Sequence, residues 1–247
     1  MASNGMMTSD PTASFQIETT RRYPDLEALS RELAKHIALD LSKAIESRGL
    51  ASLVVPGGRT PVQFFGYLRT QDLDWSRVCV ALADERWVDP SDPYSNEKLV
   101  RETLLQGPAA KARFIGLKNA APTPDMGAVS AWETFARVPR PFDRVILGMG
   151  DDGHTASLFP GSPNLPHALN PNAAAACVAM RAPVEPQARL SLNLSALLDA
   201  RGVILLINGD SKWTRLVAAC APGEVADMPV RGILNQSRTP LRVLWSP

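Results

Sequence analysis

The chain has 247 residues, 26 Lys and Arg against 25 Asp and Glu, a net charge of +1, and 45% hydrophobic residues. This is the balance of a soluble globular protein with a sizeable core, and it argues against a general nucleic-acid binder, which carries a basic stripe or tail. The longest apolar stretch, 173–180, is far short of the about 20 residues that cross a bilayer. Residues 1–15 are polar, without the charged and apolar regions of a signal peptide, and are expected to be disordered. No repeat or linker divides the remainder, so 16–247 read as a single α/β domain, cytoplasmic, and a monomer or weak homo-oligomer. Cys79, Cys177 and Cys220 are odd in number and far apart. They match no disulfide or metal spacing and read as small hydrophobes.

Leu26, Leu29, Leu33, Ile37, Leu41 and Ile45 recur at spacings of three and four, which predicts an amphipathic helix ended by Gly49. His36 lies on it, at the edge of the buried face. Residues 50–55 read as a strand, followed by Pro56-Gly57-Gly58-Arg59-Thr60-Pro61 and a helix over 62–68. A second strand, 77–83, runs into Asp84-Glu85-Arg86-Trp87, and Ser95 is placed to cap a helix reaching 105. A weak strand at Phe114-Ile115 and a helix over 125–137 come next. The apolar run 145–147 then empties into Gly148-Met149-Gly150-Asp151-Asp152-Gly153-His154. Ala156, Leu158 and Phe159 look like the start of a helix or helical turn. His167 falls in a Pro/Asn loop, solvated or bordering the site. Strands are expected at 177–181, 189–194 and 203–207, a short helix opening at Ser195, a helix over 211–219 and a closing strand over 241–245. Strands alternating with helices, several of them continuously apolar, predict an α/β fold: a mostly parallel sheet with helices on both faces.

In such a sheet ligands bind beyond the carboxyl ends of the strands, and four strand ends carry chemistry. His154, with Asp152 two residues earlier, is where a general base belongs, because imidazole titrates near neutral pH. Gly57-Gly58-Arg59-Thr60 can offer backbone amides and a helix N-terminus to a phosphate, with Thr60 as N-cap and Pro61 in the first turn; a purely structural turn is the alternative. It is neither a Walker loop nor a dinucleotide fingerprint. Asp84 and Arg86 are either site groups or a structural pair supporting the loop, and Glu85 is equally open. Arg189, in Arg-Leu-Ser-Leu, and Lys212, in Gly-Asp-Ser-Lys, complete the cations. Lys212 opposes the dipole of the helix it begins, which suggests a bound anion, a solvent-facing lysine being the alternative. No metal-ligand spacing surrounds His154, and no nucleophile elbow is present.

Gly-Gly-Arg-Thr-Pro, Asp-Glu-Arg-Trp followed by Ser-Asn, Gly-Met-Gly-Asp-Asp-Gly-His-Thr-Ala-Ser-Leu-Phe-Pro-Gly, Arg-Leu-Ser-Leu and Gly-x-x-Lys stand in the order and approximate spacing of the 6-phosphogluconolactonase family, which the chain resembles from about residue 20 onward. Pro56 and Arg59 depart from it, at positions that are often Ser. The resemblance implies a fold shared with glucosamine-6-phosphate deaminases and similar to ribose-5-phosphate isomerases. It implies hydrolysis of a phosphorylated sugar lactone with no cofactor, metal, nucleic acid or membrane. His154 would be the general base and Asp152 its support. Gly57, Gly58, Arg59, Thr60, Arg189 and Lys212 would hold the phosphate, with Asp84 and Arg86 also in the pocket. A deaminase or isomerase with Asp84 as base, and a non-catalytic sugar-phosphate sensor, are the alternatives. The Thr-Ala-Ser-Leu-Phe-Pro continuation opposes the first, and the intact Asp152-Gly-His154 the second.

Overall fold

The structure, a computed structural model, describes residues 19–247; the disorder expected of 1–15 falls outside them. Helix α1 (Leu26–Arg48) begins where Asp25 Oδ1 accepts the Ala28 amide at 2.7 Å. It ends at Gly49, whose left-handed φ of 81° lets its N–H reach the Ile45 carbonyl. Of its predicted stripe, Leu29, Leu33, Ile37 and Leu41 are buried and Leu26 and Ile45 half-buried; Leu29, Ile37 and Leu41 are fully so, each worth about 1.5–3 kcal/mol of transfer free energy.

Seven parallel strands form the main sheet: β1 (Arg21–Arg22), β2 (Ala51–Val55), β3 (Val78–Leu82), β5 (Arg113–Ile115), β6 (Arg144–Leu147), β9 (Val203–Asn208) and β10 (Leu241–Ser246), in the order β1-β10-β9-β6-β2-β3-β5. Every residue of β2 and β3 is buried. Since successive side chains point to opposite faces, both faces are covered, which is why these strands read as unbroken apolar runs. The chain winds outward from β2 through β3 to β5, then returns to lay β6 on the other side of β2. The direction of winding therefore reverses between β2 and β6, the position where open α/β sheets bind ligands. The loops leaving these two strands are the glycine turn after Val55 and the turn that carries His154.

The helices α2 (Pro61–Leu68), α3 (Asn96–Thr103), α4 (Pro124–Phe135) and α7 (Asp210–Cys220) lie close to their predicted spans, and Ser95 Oγ accepts the Lys98 amide as expected of a cap. Several expectations are corrected. Residues 177–181 and 189–194 were expected as strands, in a fold with one mostly parallel sheet. Instead β7 (Cys177–Arg181) and β8 (Ala188–Leu192) form an antiparallel hairpin that pairs with β4 (Asp84–Arg86) in a separate three-stranded sheet. The charged segment after β3 is thus itself a strand. The second strand stops at Leu192 because Asn193 turns out of the ladder and caps α6 (Leu194–Leu198) through the Ala196 amide, so Ser195 lies inside that helix. The segment 156–159 forms turns, not a helix: Ala156 takes a left-handed φ of 48°, which breaks a helix at once. Thr60 has helical dihedrals and makes no side-chain cap bond, although Pro61 does open α2. The short α5 (Leu165–Ala168) and α8 (Arg231–Leu234) were not foreseen.

Candidate active site

The turn after β6 is organised around its histidine. Asp152 Oδ1 accepts the His154 backbone amide at 3.0 Å and lies 2.5 Å from the ring Nδ1. Burial opposes the charge on Asp152, but the hydrogen bonds from the His154 ring and amide prevail and hold its carboxyl at about 2, below the ordinary 3.8. An ionised carboxylate only accepts, so Nδ1 carries the proton and Nε2 is left as the lone-pair nitrogen. Phe159 packs against the imidazole with ring centroids 4.2 Å apart. Gly150 closes the turn through its N–H to the His154 carbonyl at 2.8 Å, and a Cβ at Gly150 would overlap both His154 Nδ1 and Asp152 Oδ1.

Across the cavity, β4 and β8 set Arg86 directly opposite Arg189. Like charges in that relation repel. Burial and then Arg86 lower the pKa of Arg189, which is 5% exposed. Arg189 Nε donates to the Pro186 carbonyl and Arg86 Nη1 to that of Tyr94, while Arg86 Nε is buried without a partner among the described residues. An anion between them would relieve the repulsion and satisfy the orphan donor. Asp84, 7% exposed, does not form the structural pair with Arg86 weighed from sequence; its Oδ2 accepts from Ser157 Oγ at 2.5 Å. Glu85 is structural. Its buried carboxylate accepts the amides of Arg86, Asn96 and Glu97, each at 2.7 Å, and the Ser95 hydroxyl, so it ties β4 to the start of α3. Burial nevertheless pushes its carboxyl up.

At the end of β9, Gly209, with φ 96°, turns the chain into α7, and Lys212 in the first turn meets Asp151 Oδ1 at 2.9 Å. That hydrogen bond lowers the Asp151 carboxyl. On the side of β2, Gly57 packs so closely on Asn96 that a Cβ there would overlap its side-chain amide.

All these ends open into one cavity of about 420 Å³. Gly57, Gly58, Arg59, Thr60, Asp84, Arg86, His154, Arg189 and Lys212 all line it, and Asp152 stands behind the imidazole. Asn96, Asp151, Phe159 and Val184 also line it and had not been singled out as site residues. The sequence offered a signal for three of them: Asp151 and Phe159 lie inside the most specific motif, and Asn96 is the Asn of the Ser-Asn pair that follows Asp-Glu-Arg-Trp. His167 is exposed on α5, outside the lining, and His36 is half-buried on α1. Cys79 and Cys177 are buried, and burial raises both thiols, that of Cys177 to about 12, while Cys220 is only partly covered. No group of three or more His, Cys, Asp or Glu able to hold a metal exists among the described residues. Nor is any described helix long and apolar enough to cross a membrane.

Residues 24–245 match the family model described as "Glucosamine-6-phosphate isomerases/6-phosphogluconolactonase". The chain belongs to that family. A 6-phosphogluconolactonase of Pseudomonas aeruginosa is 47% identical over 218 residues, which cover 88% of this chain and 90% of that protein. The crystal structure of a 6-phosphogluconolactonase from Shewanella baltica superposes with a TM-score of 0.90 at 44% identity, covering 94% of this chain and all of that one. A monomeric glucosamine-6-phosphate deaminase superposes with a TM-score of 0.72 at 18% identity, a likeness of fold alone. The family's fold thus hosts both chemistries, and the residues of the cavity decide between them.

Proposed function

We propose that the protein is a 6-phosphogluconolactonase, hydrolysing 6-phospho-D-glucono-1,5-lactone to 6-phospho-D-gluconate, the second step of the oxidative pentose phosphate pathway. The observation that carries the reading is the His154–Asp152 dyad, 2.5 Å apart, at a cavity lined by Arg59, Arg86, Arg189 and Lys212. It supplies one base and several cations, which is what hydrolysis of an anionic lactone asks for.

His154 Nε2 takes a proton from water as the water oxygen bonds to C1 of the lactone. The imidazolium that forms is stabilised by Asp152, whose carboxylate stays charged. Collapse of the tetrahedral intermediate breaks the bond between C1 and the ring oxygen, and Nε2 returns the proton to that oxygen. Proton transfer of this kind contributes about 10²–10⁴-fold. Backbone amides of the glycine turns, aimed where negative charge develops, stabilise the oxyanion. The phosphate does not react; the Gly57–Thr60 turn, Arg189 and Lys212 hold it and so position C1 beside His154, with Arg86 as a further pocket cation.

The test is acid release from freshly made lactone, with the spontaneous rate subtracted. Acceleration by catalytic amounts of protein, retained after exhaustive chelation, is the expected result. Ammonia release from glucosamine 6-phosphate in place of lactone hydrolysis would overturn the reading in favour of a deaminase, and tight binding without turnover in favour of a sensor.

A further inference from the structure

Asp84 is a nearly buried carboxylate in the cavity wall, yet none of the ion pairs of the described residues includes it. A buried charge without a direct counterion is costly unless hydrogen bonds satisfy it. The bond that holds it comes from Ser157, whose side chain is fully buried and whose Oγ donates to Asp84 Oδ2 at 2.5 Å. The Ser157 amide in turn donates to Ser191 Oγ at 3.3 Å, and Ser191 Oγ donates to the Leu192 carbonyl at 3.0 Å. Ser191 lies opposite Asp84 in the β4–β8 ladder. The chain of bonds fastens the His154 turn to the small sheet at the level of Asp84. It is reached through Ala156, the one described non-glycine residue with positive φ. Strained residues of this kind cost about 1–3 kcal/mol and persist where the surroundings over-determine them.

We infer that Ser157 is a positioning residue for substrate recognition: it fixes the Asp84 carboxylate so that its second oxygen, at the cavity wall, accepts a hydrogen bond from a ring hydroxyl of the sugar lactone. This rests on the lactonase reading and deepens it. The phosphate cations select for an anion, whereas a carboxylate, which only accepts, selects for a hydroxyl-bearing ring. Because Ser157 stands three residues after His154, one turn fixes both the base and, through Asp84, the ring that must present C1 to it. A contact made equally in ground and transition states acts on KM and leaves kcat nearly unchanged.

The test is a double-mutant cycle of Ser157→Ala and Asp84→Asn, read as kcat and KM on the phosphorylated lactone, with folding followed by circular dichroism. Each single variant is expected to raise KM by about ten-fold, the scale of one charge-assisted hydrogen bond, with kcat within about three-fold. In the Asp84→Asn background, Ser157→Ala is expected to add less than about two-fold, because the pair acts as one unit. Fully additive losses, or Asp84→Asn with native KM, would overturn the inference. Ser157→Thr and Ser157→Val strain the buried site alike and differ in the hydroxyl alone, so they decide the matter should Ser157→Ala fold poorly. Thr is expected to keep a KM several-fold below that of Val, and equal values would count against the role. Loss of lactone hydrolysis by the unaltered protein would instead sink the lactonase reading itself, which a failed cycle leaves standing.

Discussion

At His154 the imidazole is gripped on one side only. Its Nδ1 belongs to Asp152 and its face to Phe159, so Nε2 is the nitrogen free for chemistry. His154→Ala should lose at least ~100-fold in kcat, the scale of a missing general base, while the folded protein still binds 6-phosphogluconate through its cations. His154→Gln keeps much of the polar shape but takes no proton, so its kcat should be nearly as low. Gly150→Ala should imitate these variants with both partners still in the sequence, since the new Cβ overlaps Nδ1 and Oδ1 and must separate them. Stopped assays of kcat beside a thermal melt check all three. Near-native kcat in folded His154→Ala would remove the proposed base and make Asp84 the next candidate. The pH profile has a definite sign. The base must be neutral to take the water's proton, and Asp152, with its carboxyl at about 2, stays its charged partner down to that pH. Its folded pKa is below the ordinary 3.8, so the dyad's support of the fold is present above that pH and lost as pH falls toward about 2.

Single elements show why some of this was legible in the sequence and some was not. The C-terminal end of α1 was readable because capping is local: Gly49 has a backbone demand that its neighbours cannot supply. The small sheet was not, because 177–181 is an apolar run as the central strands are, and the placing of the hairpin is settled by the pairing of 188–192 with the distant β4. A run buried on both sides looks the same in either sheet. Asp152 and His154 announced a site by their place after a strand, but the closeness of Gly150 to the ring is a matter of Å-scale packing that no spacing reveals. Glu85 was open to two readings, and its three amide partners decide for structure. Glu85→Ala should therefore cost about 2–5 kcal/mol, since buried amides lose their acceptor. A fall in Tm of roughly 5–15 °C is the expected readout, and an unchanged Tm would reopen the functional reading of Glu85. The cations sit on other elements, Arg189 on β8 and Lys212 on α7. Arg189→Ala or Lys212→Ala should lower kcat/KM on the phosphorylated lactone roughly 10–150-fold, the worth of one charge-assisted contact. Unphosphorylated gluconolactone should be poor for the native enzyme and hardly changed by either substitution. Equal losses on both substrates would assign the residues to structure.

Over the whole molecule the charges nearly cancel, at +1, yet Arg59, Arg86, Arg189 and Lys212 converge on one cavity at the switch point of the sheet. Asp84 and Asp151 are the acids in its lining, and Asp151 is already engaged by Lys212. The cavity is thus a local positive well on a neutral body, and low-dielectric walls focus such a field toward the opening. Attraction of a phosphate dianion into it reaches little farther than a Debye length, about 10 Å at 0.1 M salt. Raising ionic strength should therefore lower kcat/KM for the phosphorylated lactone progressively. The step at C1, being neutral in its reactants and shielded within the cavity, should keep its kcat. Unphosphorylated gluconolactone, feeling no such field, should show a flat profile over the same range. Rates measured from 0.01 to 0.5 M of an inert salt (about a 7-fold change in Debye length), with spontaneous hydrolysis subtracted at each point, separate these cases. A kcat/KM that ignores salt on the phosphorylated substrate would mean that the four cations are spent on holding the fold, and the phosphate would then have to be gripped by the backbone amides of the Gly57–Thr60 turn alone.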